Sequence, residues 1–219
     1  MFRNTHLRRL DEFDVFVRDP KAVSILRKVL NADKSSITDI LTADTPFGIA
    51  TNFEAFRLDK NPGDATLHFV RQGKRLTGYL AREGIKKNSH LIDFWKVLVP
   101  EAGSDGGQKI PDVVLGRPLI VAPGSICTQS FLAFWVSSEA EANSLYSYIG
   151  TKFFRFFVSL RKITQHALRS TYTWVPMQTW THAWTDGELY RKYDLTESEI
   201  DYIETVIKHM KLEEFGNDA

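Results

Sequence analysis

Residues 66–81 read TLHFVRQGKRLTGYLA. The runs TLHFV and RLTGYLA alternate apolar and polar side chains, and RQGK lies between them. Alternation with period two marks half-buried strands, and a short polar connection containing glycine joins them as a hairpin. The turn residues Asn61-Pro62-Gly63-Asp64 lead into it. Further strands are expected at 95-WKVLV-99, 118-PLIVA-122 and 130-SFLAFWV-136, with a turn at Pro46-Phe47-Gly48 and a flexible loop at 101-EAGSDGGQK-109.

Helices are expected on either side of this strand-rich middle. Asp19-Pro20 supplies a capping side chain and a proline whose missing N–H costs nothing in the first turn, and the helix runs from Ala22 to Leu30. A short one follows at Ser36–Leu41. Capping boxes at Ser138/Glu141, Thr185/Glu188 and Thr196/Glu199 open three more, the last burying Ile200, Ile203 and Ile207. The pattern predicts an α+β fold: a mixed or antiparallel sheet with hairpins, packed by helices, and a helical C-terminal tail. The expected divisions are an N-terminal helical lead-in (1–31), an α+β domain (32–184) and the terminal helices packed on it (185–219).

The chain has 219 residues, 43% hydrophobic and 25% charged, enough to bury a sizeable core. No run approaches the roughly 18 apolar residues of a spanning helix, and the charged N-terminus MFRNTHLRRLDEFDVF lacks the apolar core of a secretory signal. One cysteine forms no intrachain disulfide. These features predict a cytoplasmic protein without a membrane partner. The net charge of +1 hides a polarity. Arg71, Lys74, Arg75, Arg82, Lys86 and Lys87 face only Glu83 over 71–87, whereas 186–219 holds ten acidic residues against four basic. Such asymmetry suits a basic surface for a polyanion and an acidic end turned elsewhere.

The stretch 151-TKFFRFFVSLRKITQHALRST-171 has five Lys or Arg, four Phe and no acid. Read as one helix, it places Lys152, Arg155, Ser159, Lys162, His166 and Arg169 on one arc, with Phe153, Phe156, Phe157, Leu160, Ile163 and Ala167 beside them. Two readings stand. The stripe is either the solvated face of a core helix or a rail for phosphates. On both, exchanging Arg155 and Lys162 for Gln is a surface change costing within about 0.5 kcal/mol. At the hairpin tip, Arg71, Gln72, Lys74 and Arg75 are residue types that contact phosphates and guanine edges, or they form an ordinary solvated turn.

Other chemistries find little support. Asp112 is followed by VVLGRP, and Glu83 and Lys86 are one residue too far apart for the Glu-x-Lys spacing of a metal-dependent nuclease. Tyr148-Ile149-Gly150 matches half of the GIY-YIG nuclease signature, and a glycine at a helix end explains it. Cys127 lacks flanking groups that would activate it and reads as a small buried residue. His68, His166 and His182 are not spaced as metal ligands. Tyr172 and Trp174 alternate as on a strand and fill the core; for Trp180 and Trp184 burial and base stacking both remain open.

The segments 46-PFGIATNF-53, 151-TKFFRFFVSLRKITQ-165, 174-WVPMQTW-180 and 184-WTDGELYRKYDLTESEIDYIETVIKHM-210 resemble the C-terminal part of adenine-specific DNA methyltransferases of bacterial type II restriction–modification systems. The likeness runs from about Asp19 onward and is strongest at the C-terminal end. It implies a target recognition domain for double-stranded DNA that directs an adenine-N6 methyltransferase, a restriction endonuclease or both. The glycine-rich loop for S-adenosylmethionine and the Asn-Pro-Pro-Tyr-type motif that holds a flipped adenine are missing. The cofactor is therefore expected only in a separate methyltransferase domain or subunit, with no catalytic, cofactor or metal residues in this chain. The expected DNA contacts are Lys152, Arg155, Lys162, His166, Arg169, Arg71, Lys74 and Arg75. Two alternatives are a restriction endonuclease whose carboxylates assemble only in the fold, and a specificity subunit that docks another protein.

Overall fold

The computed structural model describes residues 12–103, 109–162 and 164–212. The centre of the 101–109 loop, Ile163 and the acidic residues Glu213, Glu214 and Asp218 lie outside the described residues. Helix α1 (Pro20–Ala32) begins where the sequence dictates, with the Asp19 carboxylate accepting from the Lys21 N–H at 2.7 Å. A single 3-10 turn, Ile37–Ile40, replaces the short helix expected there and is capped by Ser36. Strands β1 (Asp64–Arg71) and β2 (Lys74–Ala81) form the hairpin in the register Asp64↔Ala81 to Arg71↔Lys74. Then come β3 (Trp95–Pro100), β4 (Leu119–Val121), β5 (Ser125–Cys127) and β6 (Phe131–Val136). Helices α2 (Glu139–Gly150), α3 (Lys152–Arg161), α4 (Asp186–Lys192) and α5 (Glu197–Val206) complete the chain, and α2, α4 and α5 open on the three capping boxes read from the sequence. The fold is α+β.

The strands form two sheets of three. One is mixed, in the order β2-β1-β5 with β5 parallel to β1; the other is antiparallel, in the order β4-β3-β6. Strand β5 has three residues and was not foreseen; unlike the equally short β4, it lies in no extended apolar run of the sequence. The β3/β6 layer is buried on both faces. Val97, Val99, Leu132, Phe134 and Val136 point into a core shared with the helices. Leu98, Phe131 and Ala133 point into a second core shared with Leu67 and Phe69 of β1 and Ile126 and Cys127 of β5. The antiparallel sheet is thus the middle layer, between helices and hairpin.

The terminal helices close on the same helical core. Ile25, Leu26 and Val29 of α1 and Ile203 of α5 are fully buried in it. Ser24 and Lys28 of α1 donate to the Glu199 carboxylate of α5 at 2.7 and 2.8 Å. Burial alone would raise the Glu199 pKa, but the bonds from Lys28, Ser24 and Thr196 outweigh it and bring it down to about 2. Among the described residues, no helix is long and apolar enough to cross a membrane.

Candidate nucleic-acid interface

The hairpin is built by its turn. Gln72 and Gly73 have φ of 50° and 74°, the left-handed pair that a two-residue type I′ connection requires. Glycine adopts it without strain, whereas Gln72 pays a Cβ clash of about 1 kcal/mol. The turn holds Arg71 and Lys74 opposite each other as the last pair of the ladder. A third segment joins this ribbon: Arg57 pairs with Tyr79 through two backbone bonds of 2.9 Å, which brings Arg57 and Lys60 alongside β2. The Phe56 ring lies where a Cβ on Gly78 would sit, so only glycine at 78 admits it.

Over 57–87 the chain carries eight Lys or Arg against three acids. Arg82 is paired with Asp93 and Lys87 donates to the carbonyls of Asp44 and Thr45, while Arg57, Lys60, Arg71, Lys74 and Arg75 lie on and beside the ribbon. Lys74 and Gln72 are exposed at the tip, and Lys74 has no partner among the described residues. Arg75 donates to the Arg117 carbonyl. Arg71 is half-buried: it donates to the Phe53 carbonyl at 3.2 Å, lies 3.8 Å from Glu54 and covers the rings of Phe56 and Phe69. It fixes the flanking segment. Lys60 lies over the Tyr79 ring at 6.0 Å, and Arg57 is paired with Asp64. Sequence reading missed Arg57 and Lys60, because the segment that carries them has no strand periodicity of its own. Beside the ribbon a pocket of about 380 Å³ is lined by Phe47, Ile49, Phe53, Leu80 and Ile85, with Lys86 and Lys87 at its rim.

The continuous basic helix expected over 152–169 does not form. Helix α3 ends at Arg161, and Lys162 caps it in an extended conformation. Two interactions end it. Thr164 Oγ1 accepts from the His166 N–H at 3.2 Å, a local bond that competes with helix, and Ala167 N–H donates to the Glu101 carbonyl at 2.8 Å beside an Ala102–His166 bridge. The stripe is dismantled with it. Arg155 is fully buried, and its guanidinium donates to the carbonyls of Thr151, Val113, Lys208 and Gly150; burial lowers its pKa to about 10. Lys162 is buried as well. Lys152 is paired with Glu204, which also accepts from the Tyr190 hydroxyl. Arg169 donates to the carbonyls of Leu41 and Thr38. His166 lies 3.5 Å from Glu101. The structure therefore brings together Arg71, Lys74 and Arg75 of the expected contacts, and disperses Lys152, Arg155, Lys162, His166 and Arg169.

The remaining residues singled out by sequence are packed. Cys127 is fully buried, and burial pushes its thiol pKa far up, which leaves it unreactive. Lys96 is buried within the same core and donates to the carbonyls of Ile92 and Phe94 at 2.9 and 2.6 Å; burial pulls its pKa down to about 8. His68, on β1, is pushed down to about 4, first by burial and then by the Lys96 charge. Tyr172 and Trp174 are in the core, as expected, but from a 3-10 turn (Arg169–Tyr172) and the turn after it rather than from a strand. Trp180 and Trp184 lie against Tyr148 at 6.1 and 6.5 Å, and the Trp184 indole N–H donates to the Thr179 carbonyl, which resolves the loop pair in favour of packing. Among the described residues, no group of three or more His, Cys, Asp or Glu is placed to share a metal ion. A scan of protein-family models returns no match to this chain, and neither does a search of curated protein sequences.

Proposed function

We propose that this chain is a target recognition domain of a restriction–modification system, which binds double-stranded DNA through the β1–β2 ribbon and directs an adenine-N6 methyltransferase, a restriction endonuclease or both. The observation that carries the reading is the basic ribbon itself, with Lys74, which has no partner among the described residues, and exposed Gln72 at a two-residue tip. A two-stranded ribbon matches the width of the major groove, and cations on and beside it meet phosphates on either side. Methyl transfer, with its S-adenosylmethionine, belongs to a partner methyltransferase domain or subunit.

Binding of a fluorescent random-sequence duplex tests this, titrated at several salt concentrations. Each phosphate neutralised contributes about 0.9 to the slope of log affinity against log salt. The double variant Lys60→Gln/Lys74→Gln should lower that slope by roughly 1 to 2 units, while Lys152→Gln, whose cation is already paired, leaves it in place. An unchanged slope in the double variant, with the fold intact by circular dichroism, overturns the ribbon as the interface.

A further inference from the structure

The ribbon presents more than charge. Its register puts Lys74, Leu76 and Gly78 on one face, opposite Arg71, Phe69 and Leu67. Phe56 covers Gly78 on that face. Leu76 is 43% exposed, although the buried Phe69 lies directly across from it. An apolar strip of Leu76 and Phe56 is thereby held beside Lys74 and Arg71. At the tip, Gln72 keeps a long amide side chain in a left-handed position that glycine or asparagine would occupy more easily. Strain retained at an exposed tip is a pointer to use rather than to folding.

We propose that the ribbon reads A·T base pairs in the major groove, with the Gln72 amide bonded to an adenine edge and Leu76 in contact with a thymine methyl. This rests on the DNA-binding reading above. Only the major groove combines the features these residues match. Adenine offers N7 as acceptor and its N6 amino group as donor, which one Gln amide satisfies together, and thymine adds a C5-methyl that an apolar side chain covers. The neighbouring cations Lys74 and Arg71 complement the phosphates that flank the groove. An anionic lipid surface would use Leu76 and the lysines but has no partner for the Gln amide, and the apolar strip is a single ribbon wide.

The test begins with duplexes selected by the full chain from a randomised pool, which should be enriched in A·T pairs. In the preferred duplex, replacing thymine by uracil at one position removes only the methyl, and replacing adenine by 7-deazaadenine removes only N7. Each is expected to weaken wild-type binding at least about 5-fold. Leu76→Ala should be weaker on the parent duplex and indifferent to uracil. Gln72→Gly, which relaxes the turn and so keeps the hairpin, should be indifferent to 7-deazaadenine. A wild-type chain that binds duplexes in a salt-dependent way but ignores both replacements, or whose selection enriches no sequence, overturns the base reading and leaves DNA binding standing. Binding to phosphatidylglycerol vesicles with none to any duplex overturns both.

Discussion

Replacing Arg155 by Met removes the guanidinium while keeping most of the stem volume. Its four acceptors are the carbonyls of Lys208 at 2.6 Å and of Thr151, Val113 and Gly150 at 3.2 Å. These bonds tie the α2–α3 junction to the loop at Val113 and to the segment after α5. Bonds to a charged donor contribute about 1.5–3 kcal/mol each, and against their sum stands the cost of holding a guanidinium out of water, several kcal/mol. Losing the donor strands acceptors at about 1–3 kcal/mol apiece where water cannot reach them. The balance is a loss of about 3–5 kcal/mol, or roughly 10 °C in melting temperature for a chain of this size. Urea unfolding followed by tryptophan fluorescence measures it. Arg155→Lys, which retains the charge but lacks the planar fork, should recover part of the loss. A loss below about 1 kcal/mol for Arg155→Met would refute the clamp and show that desolvation cancels the four bonds.

Glu199→Gln breaks the bond from Lys28 and should cost about 1–2 kcal/mol in the same assay. Because the folded pKa is depressed to about 2 from an ordinary 4.5, the wild-type advantage should be present above pH 4.5 and fade as pH falls towards 2. His68 has a folded pKa of about 4 against an ordinary 6.5, so between these values the unfolded chain binds a proton that the folded chain refuses. Stability relative to His68→Asn should therefore drop as pH falls from 6.5 to 4; a pH-independent difference would place His68 in water. Gly78→Ala sets a Cβ 2.4 Å from the Phe56 ring and should cost about 1–3 kcal/mol, read as a lower urea midpoint. No loss would mean that Phe56 swings away freely.

The elements legible in the sequence share one physical property: the bonds that define them close over a few residues. Asp19 caps α1 through Lys21, two positions on. The boxes at Ser138, Thr185 and Thr196 each close over three, and the hairpin pairs Arg71 with Lys74 across two turn residues. Most of the candidate site was legible for the same reason, since Arg71, Gln72, Lys74 and Arg75 belong to that hairpin. Arg57 and Lys60 were not, because their strand-like pairing is supplied by Tyr79, far along the chain.

The basic stretch after Thr151 marks the limit. Its sequence determined that a helix forms there and that its phenylalanines enter a core; the structure adds Thr151 as its cap. Which polar residues would meet water was decided elsewhere. Arg155 turns inward because carbonyls 42 and 53 positions away, at Val113 and Lys208, converge on it. The helix stops short of His166 because Glu101 captures the Ala167 N–H. Helical periodicity ranks positions by angle around an axis, but the free energy of a charged side chain depends on which acceptors the rest of the fold brings to it. Only the assembled tertiary structure fixes those acceptors, and it moved the exposed positive charge from the helix to the ribbon.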